Sequence, residues 1–106
     1  MNKNNIGEVT IKSKEYPNGK LKEMIYYNNG KEIAKKIFDI KNNIVKNTGK
    51  IPNGLIKEYY ESGKLWIEWN YKDDKQEGIS RIYNENGEIA IIETYKKGIK
   101  INSKNV

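Results

Sequence analysis

Glu68 stands between Trp66 and Trp69 and invites a chemical reading more than any other residue of this chain. A carboxylate beside indole rings is found in carbohydrate sites, and burial there can raise its pKa for acid catalysis. Glycoside hydrolysis also needs a second carboxylate, and strand alternation assigns none to the face of Glu68. Asp73 and Asp74 form the other acidic pair, in Tyr71-Lys-Asp-Asp-Lys-Gln-Glu-Gly78. Adjacent acids at a strand end point to opposite sides, so this pair reads as a polar hairpin turn. It also lacks the ligand spacing of a calcium loop. Ser13, Ser62, Ser80 and Ser103 have no histidine to activate them, and none lies in a G-x-S-x-G elbow. The chain contains no Cys and no His. That removes disulfides, Cys/His metal sites, thiol nucleophiles and every His-based triad. The nine glycines form no dinucleotide or Walker pattern. The expectation is a protein without catalytic residues, cofactor or metal.

Charge points toward binding. Lys and Arg number 20 against 14 Asp and Glu, a net charge of +6. Such a balance suits anionic partners such as nucleic acid, lipid headgroups or an acidic protein. Arg81 is the only arginine, although Arg is the usual choice for bidentate phosphate recognition. The 15 Asn and 17 Ile beside 19 Lys match the codon bias of an AT-rich genome. The main reading of the charge is therefore a solvated lysine surface. Tyr59 and Tyr60 with Lys57, or Tyr26 and Tyr27 with Lys22, could stack bases beside phosphates, but no RNP, KH or OB signature accompanies them. Met1 to Gly7 holds no apolar signal-peptide core, and no apolar run reaches membrane-spanning length. The expected localisation is cytoplasmic for the sequence as it stands, and periplasmic or secreted if an export signal has been removed.

The elements that must position these residues follow from the glycines. Gly30, Gly54 and Gly78 are spaced by 24 residues, as are Gly63 and Gly87. Aromatics at Tyr16, Phe38, Tyr60 and Tyr83 open four copies, spaced 22, 22 and 23. The second copy carries Asn42 where the others have a turn glycine. Asn-Gly pairs at 18–19, 29–30, 53–54 and 86–87 suit the positive φ of tight hairpin turns. Pro17 and Pro52 precede two of them. Between the corners, side chains alternate. Leu65, Ile67, Trp69 and Tyr71 fall on one face of a strand, and Trp66, Glu68 and Asn70 on the other. The pattern predicts strands near 8–16, 20–28, 31–39, 43–48, 54–60, 64–71, 78–84, 88–95 and 98–102. Ile33, Ala34 and Ile37 also have helical spacing, but the register of the copies favours a strand over 31–39.

The segment Tyr60-Glu-Ser-Gly-Lys-Leu65-x-x-Glu68-x-x-Tyr71, followed by Gly78-x-x-x-x-Tyr83-x-x-x-Gly-x-Ile89, resembles the bacterial variant of the MORN repeat. Chains of such repeats are often labelled YwqK-type toxin–antitoxin antitoxins. The likeness spans residues 7–101, is strongest from Gly54 to Gly98 and is weakest over 38–53. Met24 and Ile92 depart from the Glu of the pattern, whereas Tyr27, Tyr71 and Tyr95 keep its Tyr. The resemblance implies an all-β, non-enzymatic scaffold that binds proteins or, in some relatives, phospholipids.

The expected architecture is an elongated antiparallel β-meander of eight or nine strands, built from four MORN-like hairpin repeats. A single repeat domain over 7–101 is flanked by flexible segments 1–6 and 102–106. The expected partner is another protein, toxin-like or scaffolded, held by Trp66, Trp69, Tyr59, Tyr71 and Glu68 or by an open sheet edge. The alternative is an anionic membrane surface or nucleic acid held by the lysines.

Overall fold

The computed structural model describes residues 8–106. The expected flexible segment 1–6 and the first residue of the expected repeat domain, Gly7, lie outside the described residues. Among the described residues every regular element is a strand: β1 (Val9–Glu15), β2 (Leu21–Asn28), β3 (Lys31–Phe38), β4 (Ile44–Gly49) and β5 (Gly54–Tyr59). They are followed by β6 (Leu65–Lys72), β7 (Lys75–Gln76), β8 (Gly78–Tyr83), β9 (Ile89–Lys96) and β10 (Ile99–Asn105). The all-β, antiparallel reading holds, and residues 31–38 are strand. Two differences stand out. β7 is an extra, two-residue strand, created where Asp73 and Asp74 both adopt positive φ and fold Lys75 back onto Lys72. β10 runs three residues past the expected end, because its ladder with β9 continues to Asn105 opposite Ile91.

Contacts divide the chain into two units, one up to Lys50 and one from Ile51. In the first, β1, β2, β3 and β4 pair in sequence order. In the second, the order is β5-β6-β8-β9-β10, with β7 set against the end of β6.

One turn design recurs four times. In each, two backbone hydrogen bonds close the loop: Gly19 N–H to Tyr16 C=O and Tyr16 N–H to Lys20 C=O in the first copy. The same pair of bonds closes 39–43, 60–64 and 84–88. This is the three-residue hairpin loop that ends in a left-handed residue. Glycine fills that position in three copies. In the second, Asn42 takes it at φ 70°, which Asn tolerates better than other side chains. The degenerate copy thus keeps its turn.

These bonds also correct the alignment of the copies. Tyr16 is equivalent to Asp39, Tyr60 and Asn84, so the aromatics Phe38 and Tyr83 sit one residue earlier in their copies. The offset serves a contact between copies. The Tyr16 hydroxyl donates to the Phe38 carbonyl, and the Tyr60 hydroxyl donates to the Tyr83 carbonyl.

Within each unit, the returns that follow a hairpin use two-residue loops with positive φ at both positions: Asn29-Gly30, Asp73-Asp74 and Lys97-Gly98. Backbone twist favours such loops between antiparallel strands. In the second unit, Asn53 Oδ1 accepts from Asp73 N–H, and Glu77 Oε1 accepts from Lys97 N–H, both acceptors lying just before a strand-opening glycine.

The core is a set of cross-strand rows. In the first unit, Ile11, Tyr26 and Ala34 are opposed and buried, with Val9 and Met24 beside them on the same face. Gly49 ends this row opposite Ala34. In the second unit, the buried residues Ile56, Glu58, Ile67, Tyr71, Ser80 and Glu93 share one face by register. Full burial of one such isoleucine contributes about 1.5–3 kcal/mol.

Candidate functional site

Strand β6 carries four of the five residues expected to bind a partner, and its pleat divides them. Trp69 and Tyr71 point to the buried face of the second unit. There the Trp69 ring meets Tyr71 at 6.4 Å and Tyr95 at 5.9 Å, both edge to face. Such contacts add about 0.5–1.5 kcal/mol each beyond area burial. Trp66 and Glu68 point to the opposite face. The Trp66 ring lies 5.6 Å from Tyr60, and the Tyr83 hydroxyl donates to Glu68 Oε1 at 2.7 Å. Tyr59 is half-buried at the end of β5, paired with Leu65 where a bulge interrupts the β5–β6 ladder. That bulge recurs in all four hairpins, next to the turn.

The buried face holds a polar network. Glu93 Oε1 accepts from the Tyr95 hydroxyl at 3.0 Å, and Lys100 Nζ approaches Glu93 Oε2 at 3.3 Å. Burial pushes the Tyr95 phenol well above its ordinary value of 10, helped by Glu93. The Trp69 Nε1 and Ser80 Oγ atoms are enclosed on this face without a hydrogen-bond partner among the described residues. In this network Ser80 and Glu93 are buried, Trp69 and Tyr95 are half-buried, and Lys100 is exposed.

The opposite face is open and banded. Leu55 and Ile79, at 53% and 44% exposure, stand on either side of Asn70 in one band. Lys57, Glu68 and Arg81 are directly opposed across β5, β6 and β8 and form the next band. Tyr60, Trp66 and Tyr83, all half-buried, form the third. The Glu68 carboxylate raises the Tyr83 phenol above its ordinary value of 10, first through their hydrogen bond. Among the described residues, no group of His, Cys, Asp and Glu side chains could hold a metal ion.

The predicted residues thus contribute to two separate clusters. The structure adds Tyr60, Tyr83 and Arg81 to the open one, and Tyr95, Ser80 and Glu93 to the buried one. The repeat spacing carried part of this signal, because Tyr60 recurs in register with Tyr16, and Tyr95 with Tyr27 and Tyr71, whereas Tyr83 sits one residue before the place the spacing gave it. Arg81 and Ser80 lie off the repeat pattern, and only pairing with β6 brings them to Glu68 and Trp69.

The same hairpin, with its turn, its bulge and its tyrosine eight residues past the turn, recurs along the chain. The MORN repeat variant matches it at residues 11–29, 52–73 and 76–97, more than half of the chain. The chain belongs to the MORN repeat variant family. The unmatched stretch, 30–51, contains the copy whose turn glycine is Asn42, so the fold there outlasts the sequence pattern. MORN repeats are in general binding repeats, for proteins or membranes, and are not catalytic. No curated protein and no solved structure matches the chain.

Proposed function

We propose that this MORN repeat chain is a non-enzymatic protein-binding module, an adaptor or an antitoxin-like neutralising partner. The observation that carries the reading is the open face of the second unit. Tyr60, Trp66 and Tyr83 lie there beside a charged row and two exposed aliphatic side chains. Large aromatics and arginine are the usual anchors of protein interfaces, and a contiguous, partly apolar patch marks an interaction site. Open sheet edges offer a second mode. β4 and β10 are exposed along their whole length, and their outer edges pair with no described strand.

One observation favours an anionic surface as the alternative partner. Lys12, Lys14, Lys35 and Lys46 share one face of the first unit by register, where Glu23 stands opposite Lys14 and Glu32 lies 3.9 Å from Lys35. The readings differ in their salt response. Binding through lysines to phosphates weakens steeply as salt rises, whereas a packed aromatic interface persists.

Affinity capture from a lysate of the source organism, washed with rising salt, tests both. A stoichiometric protein retained at high salt by the wild type and lost with Trp66→Ala is the expected result. Nucleic acid or lipid alone, lost at moderate salt, would overturn the protein-binding reading.

A further inference from the structure

We propose that Arg81, with Lys57, receives a carboxylate side chain of the protein partner. The recognised segment is then acidic, with apolar residues on either side of its acid. This rests on the protein-binding reading of the open face and names the chemistry of the partner.

The register places Lys57, Glu68 and Arg81 in one row, neighbours about 4.8 Å apart across three strands. Two cations flank one carboxylate, and that carboxylate takes the Tyr83 hydroxyl as its hydrogen-bond donor. The Arg81 guanidinium and the Lys57 ammonium make no ion pair or hydrogen bond with any described residue. The row therefore carries an excess positive charge at the centre of the open face. Arg81 is the only arginine of a chain with 19 lysines. Its planar fork accommodates a carboxylate in bidentate fashion, which a lysine cannot do.

Same-face neighbours on a strand lie about 7 Å apart, which sets the spacing of the bands beside this row. On one side are the exposed Leu55 and Ile79, and on the other Tyr60, Trp66 and Tyr83. A partner segment with an acid between two apolar side chains matches this order. The spacing is two residues in an extended chain or four on a helix. Glu68 opposes the incoming acid by like charge. It thereby selects for partners whose apolar flanks also fit, because charge alone meets repulsion there.

The test is random-peptide phage display on the full chain, followed by affinity measurements on the enriched peptides. The expected result is a consensus with Asp or Glu between apolar or aromatic residues. Arg81→Ala should weaken those peptides about tenfold, the cost of a lost charge-assisted contact. Glu68→Gln should strengthen them, a change in sign that a merely structural role does not produce. If Arg81→Ala folds poorly by circular dichroism, Arg81→Gln takes its place.

A consensus without an acid, or acidic peptides indifferent to both variants, overturns the proposal. Arg81-dependent binding of phosphatidylserine vesicles without peptide binding also overturns it and assigns the row to a lipid headgroup. A protein captured from lysate that needs Trp66 but not Arg81 sinks this inference and leaves the protein-binding reading standing. Failure to capture any protein sinks the reading itself.

Discussion

Ser80 is enclosed at 1% exposure between strands β6 and β9, and its hydroxyl has no hydrogen-bond partner among the described residues. An enclosed hydroxyl without a partner carries its desolvation cost uncompensated. Ser80→Ala is therefore expected to stabilise the fold by about 1 kcal/mol, measured by urea unfolding. A loss of stability would mean that the hydroxyl has a partner after all. Tyr83 and Tyr95 make a pH prediction. Both phenols are raised above 10 in the fold, Tyr83 first by its hydrogen bond to Glu68 and Tyr95 first by burial. A raised folded value favours the protonated form. Its contribution is complete below pH 10 and is lost as pH climbs through the folded values. Stability should fall on the alkaline side from about pH 10. Replacing both residues by Phe should flatten that fall. An unchanged alkaline limb would contradict the assignment.

At the scale of the element, the hairpin is the unit, and its weak points are specific backbone positions. Gly49 closes the row of Ile11, Tyr26 and Ala34 at φ 75°. A Cβ there would collide with the Ile33 carbonyl oxygen and lie 2.8 Å from Ala34 Cα, both rigid backbone. Gly49→Ala should cost more than about 2 kcal/mol, well beyond the usual loss at an exposed strand. A thermal midpoint equal to wild type would show that β4 can move away at no cost. Asn42 is the milder case. Its left-handed conformation costs an alanine about 1–2 kcal/mol, so Asn42→Ala should destabilise the first unit by roughly that amount, read by chemical denaturation. Both positions lie in the copy with the weakest sequence signal, and there the backbone geometry has to do what pattern does elsewhere.

Taken as a molecule, the chain concentrates its burial in the central strands and leaves β4 and β10 exposed throughout. Amide hydrogen exchange should report this gradient. β4 and β10 should exchange first, and the ladders around β2 and β6 last. Strong protection along β10 in the isolated protein would point to a strand already added to its outer edge. The strands, the returns and the repeat were legible in the sequence because alternation and turn residues are local signals. The candidate site was legible in half. The pleat of β6 correctly parted Trp66 and Glu68 from Trp69. The cross-strand neighbours of those residues were not legible, because Tyr83, Arg81, Tyr95 and Ser80 are set beside them by the pairing of separate strands.

The sequence by itself determined the strand class, the four hairpins and the absence of thiol and imidazole chemistry. Each of these depends on residue type and on spacing within one hairpin. Tertiary structure decided which side chains each aromatic meets on its face of the sheet. Alternation says only that Trp66 and Trp69 oppose one another. Which face is enclosed depends on the neighbours each strand meets: Ser80, Glu93 and Tyr95 on one side of the sheet, Lys57, Arg81 and Tyr83 on the other. The register that sets those meetings is fixed by the bulges and by the extra turn at Asp73 and Asp74. A bulge shifts the pairing beyond it by one residue, so the spacing of the repeats could not state in advance that Arg81 would lie beside Glu68.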